Sequence, residues 1–279
     1  MPSLLLNTIA LDPNRWTPTK QPFTHLETVL NRVVDAGFRQ LEVWQYHLST
    51  LDPAAVDALV AEARRLGVTA PIVGVYPSLH LEGAAREKQW NELATTIERA
   101  QRLGTRAVKM FAGSLGSDEA SAADVERSIA FTRELIGLAA EHRMTLTAEA
   151  HPDTLCDSPE ATLAFLDVVG DGTLAVCFQP YDFASTRQTV ADYRTLRQHV
   201  VHVHLQGRRN DQMCLLEDAD VDYSVFLNEL ATDGFEGALS IEFVKGCVVP
   251  HPANFDLELV LSNARRDADF VASVMPGVS

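Results

Sequence analysis

Cations are scarce in this chain: 23 Lys and Arg stand against 38 Asp and Glu, a formal charge of -15. The imbalance is spread along the sequence rather than massed in one tail. Nucleic-acid phosphates demand clustered Lys and Arg, so DNA and RNA are poor partners. A small neutral or cationic substrate, or one held by a metal, fits better. No apolar run reaches the roughly 18 residues of a membrane span, and no basic region precedes a long apolar stretch at the N-terminus. No membrane association is expected; the chain reads as soluble and unprocessed, with the cytoplasm as its expected compartment. The four cysteines, at 156, 177, 214 and 247, form no CxxC pair and have no close spacing with histidines. They read as reduced packing residues, and a structural zinc is not expected. No GxGxxG, GxxxxGKS or GxxxxGKT follows an apolar run, which removes the usual nucleotide fingerprints.

What is present is a regular alternation. The chain has 279 residues and is 46% hydrophobic, enough to bury a large core. Strand-like runs fall near 3–9, 39–44, 70–76, 106–111, 144–150, 173–179, 200–205 and 237–243. Helix-like stretches follow them near 23–36, 53–66, 86–103, 119–142, 158–169, 187–198, 221–232 and 255–274. Leu26, Val29, Leu30, Val33 and Val34 make one apolar stripe on the first helix. Asp52-Pro53 and Ser158-Pro159 are N-cap and first-position proline pairs, while Gly37, Gly67 and Gly104 stand where helices should stop. Eight βα units without a linker or composition shift give one reading: an α/β fold, a single (β/α)8 TIM barrel domain over residues 1–279.

Polar residues interrupt the later strands at one end. In Thr145-Leu146-Thr147-Ala148-Glu149-Ala150-His151, the two-residue period of a strand puts Glu149 and His151 on one face and Leu146 and Ala148 on the other. Val201-His202-Val203-His204-Leu205-Gln206 groups both histidines with Gln206, and Leu239-Ser240-Ile241-Glu242-Phe243 sets Ser240 and Glu242 against bulky apolar neighbours. Apolar faces pack under helices, so the polar ones face the lumen. Barrel interiors are normally layers of Val, Ile and Leu, and a buried carboxylate must find a cation or a proton. Glu149 and Glu242 are therefore the strongest candidates for metal or catalytic roles, and His204 shares their lumen as a candidate ligand. His202, a layer deeper, reads as a hydrogen-bonded core residue.

In sequence order, Leu41-Glu42-Val43-Trp44, Ala148-Glu149-Ala150-His151, Val203-His204-Leu205 and Ser240-Ile241-Glu242 resemble the xylose isomerase-like barrels. This is the sugar phosphate isomerase/epimerase group that also includes the endonuclease IV branch. The resemblance spans nearly the whole chain. It implies one divalent metal held from strands five, six, seven and eight, which by position means Glu149, Gln179, His204 and Glu242. The strand-six position departs from the pattern: where the family has Asp followed three residues later by His, this chain has Gln179-Pro180-Tyr181-Asp182. Gln offers a carbonyl oxygen without charge, which weakens the site unless Asp182 reaches inward. The family's Lys-Asp after the strand-seven histidine is replaced by Gln206-Gly207.

The function expected is a divalent-metal-dependent isomerase or epimerase acting on a small carbohydrate or sugar-like polyol. Manganese, magnesium or cobalt suits the oxygen-rich ligand set, with zinc also admissible. A metal-polarised carbonyl would allow Glu149 and Glu242 to pass a proton through an enediolate. His151, Lys109, Trp44 and Glu42 are the candidate substrate contacts. Loss of a β-hydroxyl after the same proton removal would make the enzyme a dehydratase or lyase, and a catalytically altered binding barrel is the alternative outside enzymes. A nuclease of the endonuclease IV kind would need more lumen histidines and a basic groove. Pairing through outer helices, giving a homodimer, is compatible with such barrels.

Overall fold

Alternating apolar runs joined by capped helices close into a barrel. The computed structural model describes residues 1–170, 172–182 and 184–278. Its eight parallel barrel strands are β1 (Ser3–Asn7), β2 (Gln40–Trp44), β3 (Thr69–Val75), β4 (Ala107–Phe111), β5 (Thr145–Glu149), β6 (Ala175–Phe178), β7 (Val200–Gln206) and β8 (Ala238–Phe243). Each bonds to its neighbours in sequence, and β8 closes on β1. The outer helices are α1 (Leu26–Asp35), α2 (Pro53–Leu66), α3 (Gly83–Gln101), α4 (Ala122–Glu141), α5 (Pro159–Val169), α6 (Thr186–Leu196), α7 (Tyr223–Thr232) and α8 (Leu257–Val274). This is the expected TIM barrel.

Local chemistry sets the boundaries. The Asp52 side chain accepts from the Ala55 amide and Ser158 from the Ala161 amide, each ahead of a proline. Ser121 and Asp124 form a reciprocal capping box at the start of α4. Such caps are each worth about 1 kcal/mol, because they satisfy amides that have no partner inside the helix. Gly67 ends α2 at φ 66°, where its amide reaches the carbonyls of Ala63 and Arg64. On α1, Leu26, Val29, Leu30 and Val33 are buried against the barrel, and Val34 is half-buried at the edge of the stripe.

Three features differ from expectation. β1 stops at Asn7 rather than running to residue 9, because the Asn7 side chain accepts the Ile9 amide and starts a 3-10 turn over Thr8–Leu11. After β7 the chain makes a small hairpin, Arg208–Arg209 against Gln212–Met213, turned by Asn210 and Asp211 at φ 47° and 62°. Asn and Asp tolerate that left-handed backbone and suit a tight two-residue turn. Val201, expected under a helix, is 47% exposed at the N-terminal rim of the barrel. The C-terminal rim carries the polar lumen. No helix among the described residues is long and apolar enough to cross a membrane.

Candidate metal centre

Strand register fixes which lumen residues can meet. Glu149 on β5 is level with Cys177 on β6, Cys177 with His202 on β7, and Ser240 on β8 with His204. The β8–β7 register shifts between Ile241 and Phe243, around Glu242. Such irregularities re-aim a side chain beside a site.

His204 is the hub. Its Nε2 lies 2.9 Å and 3.1 Å from the two carboxylate oxygens of Glu42. Its Nδ1 faces Glu149 Oε1 at 3.4 Å and Glu242 Oε1 at 3.3 Å. Both His204 Nδ1 and Glu149 Oε1 are buried without a hydrogen-bond partner. Each such orphan costs on the order of 1–3 kcal/mol, and a cation between them removes both penalties. Glu149, His204 and Glu242 offer ligand atoms within 4.8 Å of one another. Burial lowers the His204 imidazole, but Cys177, Glu242, Glu42 and Glu149 raise it well above its ordinary value, so Nδ1 keeps a proton until a cation displaces it. Glu42 then retains the Nε2 proton, the arrangement that carboxylate–histidine–metal sites use. Two carboxylates and an imidazole so disposed fit a divalent metal.

The charges are strongly coupled. Lys109 Nζ lies 2.5 Å from Glu149 Oε2, and the lysine is wholly buried with its ammonium over the rings of Tyr76 at 4.4 Å and Phe111 at 5.0 Å. Burial alone would push the Glu149 carboxyl up; Lys109, then His204, outweigh it and hold the group down at about 2. Burial likewise disfavours the lysine's charge, and Glu149 more than restores it, keeping Lys109 well above its ordinary value. The same contest at Glu42 is won by His204 and His202, which hold that carboxyl well below the usual range. His202 donates between Ser240 Oγ at 2.8 Å and Glu42 Oε2 at 3.3 Å, and is pushed up to about 9: burial lowers it, while Cys177 and Glu42 raise it more.

The sequence-derived candidates do not all meet. Glu149, His204 and Glu242 converge. Gln179 is buried near Gln206, whose Nε2 donates to Gln179 Oε1 at 3.0 Å. Asp182 does not reach inward: it is 44% exposed and pairs with Arg208 Nη1 at 2.5 Å. Glu42 and Lys109, expected at substrate, are sealed among protein partners because each supports a buried ion pair. Trp44 is 1% exposed and packs against Tyr46 and His47, leaving no open face for a sugar ring. His151 is half-buried, 4.3 Å from the Phe111 ring, with Nδ1 donating to the Pro152 carbonyl.

Several supporting residues escape a reading of single strands. Gly74 on β3 is one: a Cβ there would stand 3.1 Å from Lys109 Cε and 3.2 Å from Glu42 Oε1, so the bare backbone makes room for both charges. Arg15 is another. Its guanidinium bonds the carbonyls of Asp12 and Cys247 and lies over the rings of Trp16 and Phe243, drawing the loop after β1 across the end of β8. Asp12 anchors that loop by accepting the Asn14, Phe23 and Thr24 amides. Cys177 has a signal in hindsight, since strand alternation puts it on the Gln179 face.

Comparisons with known proteins agree with this fold. A family model described as xylose isomerase-like TIM barrel matches residues 30–261. A 3-dehydroshikimate dehydratase of Bacillus anthracis is 26% identical over 183 residues, which covers 61% of this chain and 62% of that relative, so the chain matches less than two thirds of its length. A D-psicose 3-epimerase from Clostridium cellulolyticum H10 superposes with a TM-score of 0.75 at 16% identity, covering 98% of this chain and 99% of that one. The IOLI protein, solved with a zinc atom bound, superposes with a TM-score of 0.78 at 13% identity over 99% of this chain and 100% of that one. At those identities the structural likeness is one of fold.

Proposed function

Since the chain belongs to the xylose isomerase-like TIM barrel family, we propose that it is a divalent-metal-dependent isomerase or epimerase acting on a small sugar or sugar-like polyol. One observation carries the reading: His204 Nδ1 and Glu149 Oε1 are buried, unpartnered and close to Glu242 Oε1. Glu149, His204 and Glu242 would hold the ion, with Gln179 as a neutral oxygen donor. Their oxygen-rich set favours manganese, magnesium or cobalt, and zinc is also accommodated. When bound, the metal supplies Lewis-acid polarisation of a carbonyl and the hydroxyl beside it.

The chain's own residues then handle the proton. Glu149 and Glu242 approach from β5 and β8, on opposite sides of β7. One carboxylate takes the proton from the carbon next to the carbonyl, and the other returns it. Return to the opposite face of that carbon inverts it; return to the neighbouring carbon exchanges aldose and ketose. Lys109 keeps Glu149 ionised, and Glu42 holds His204 in orientation.

A dehydratase is the second reading, favoured by the 26%-identical relative of that activity. It begins with the same proton removal and ends with loss of a β-hydroxyl. Turnover of a panel of ketoses, aldoses and hydroxylated cyclic ketones in deuterated water separates these outcomes. Solvent deuterium at one carbon of a product of unchanged formula supports isomerase or epimerase chemistry, and a product lighter by one water supports the dehydratase. An isomerised or epimerised product without solvent deuterium overturns proton transfer.

A further inference from the structure

Below the Glu149–His204–Glu242 group lies a second donor set of different chemistry. Cys177, His202 and His204 are all buried and offer ligand atoms within 4.8 Å of one another. Register explains the meeting, because Cys177 on β6 is level with His202 on β7, and His204 stands two residues further along the same face. His202 Nδ1, like His204 Nδ1, is buried with no hydrogen-bond partner, while the other nitrogen of each ring is engaged by Ser240 or Glu42. A thiol and two imidazoles, each ring with one nitrogen that has no hydrogen-bond partner, all shielded from water, are more than a packed core requires.

We propose that Cys177, His202 and His204 form a second metal site, selective for thiophilic divalent ions such as zinc and cadmium, which competes with the oxygen-rich site for His204. Thiolate and imidazole suit soft and borderline ions, whereas two carboxylates with one imidazole suit harder ones. Binding releases to solvent the Cys177 thiol proton and the Nδ1 protons that the two imidazoles carry, and forms one sulfur–metal and two nitrogen–metal bonds with no change of oxidation state. His204 Nε2 is held by Glu42, so Nδ1 is the one nitrogen both sites can use. The two ions therefore exclude each other, and a thiophilic ion in the deeper position empties the site above it. The exclusion half of this proposal rests on the metal centre proposed above; the deeper site itself does not.

The test loads the full chain with manganese, follows free manganese by electron paramagnetic resonance, and titrates with cadmium while recording the ultraviolet thiolate-to-cadmium band. The expected result is a band that grows as manganese is released one for one. In Cys177→Ser the band should vanish, and the cadmium needed to release manganese should rise at least about tenfold, the lower end of what losing a mere partner of a ligand costs. Thermal melts of Cys177→Ser and Cys177→Ala check folding, and cadmium X-ray absorption of the unmodified chain, expected to show one sulfur neighbour, needs no variant. Absence of the band and of a sulfur neighbour, or a band that survives in Cys177→Ser, overturns the proposal. A Cys177-dependent band in a chain that binds no manganese would uphold the deeper site and defeat the metal-dependent reading of the upper one.

Discussion

Lys109 sets the electrostatics around Glu149. With the lysine in place the carboxyl sits at about 2; in Lys109→Met burial acts with less opposition, so Glu149 takes up a proton at higher pH. Metal binding needs the carboxylate, and its acid limb in Lys109→Met should move to higher pH when affinity is measured calorimetrically across a pH series. Glu149→Gln does the reverse damage by leaving a buried ammonium unpaired, and should cost about 3–5 kcal/mol of stability in urea melts of the metal-free protein. Glu42→Gln leaves the three proposed ligands untouched and should still weaken metal binding about 10–100-fold, because the carboxylate that fixes His204 is gone. Gly74→Ala should mimic it in part by crowding Glu42 and Lys109. At this scale Glu149, His204 and Glu242 were legible from two-residue alternation alone. Glu42's hold on His204 was not, since the two residues are 162 apart in sequence and their strands face each other only across a closed lumen.

Elements were legible where a local rule decides them. The Asp-Pro and Ser-Pro caps and the glycine at the end of α2 came out within a residue or two. The hairpin after β7 was hidden in a polar run, because its Asn-Asp turn carries no glycine and its strands are two residues long. The short 3-10 turn Leu216–Asp218 that follows is tied to α8 by Asp267, whose Oδ1 accepts the Leu216 amide at 2.9 Å while Oδ2 is buried without a partner. Burial pushes this carboxyl up to about 7, against the Leu216 amide, which lowers it. The folded chain therefore keeps a proton that the unfolded chain has already released between the ordinary value of 3.8 and about 7. Stability from this group is complete below 3.8 and declines as pH rises to about 7, by at most roughly 1.4 kcal/mol per pH unit. Asp267→Asn should remove that slope when urea unfolding is compared with the parent chain from pH 4 to pH 8 on the order of half-unit steps.

For the whole molecule, counting eight strand–helix units was enough for the barrel, because closure follows from strand number and alternation rather than from any one contact. The covering of the rim was not foreseeable: the Arg15 latch joins residues 232 apart and depends on the backbone carbonyl of Cys247, which no side-chain pattern reveals. The net charge of -15 agrees with a centre that gathers Glu42, Glu149 and Glu242 round two histidines and one lysine. That gathering is the central claim, and crystals soaked in manganese test it most directly through anomalous scattering. One peak is expected, in contact with Glu149, His204 Nδ1 and Glu242; manganese-free density there, with those three side chains still bonded only to protein, would contradict it.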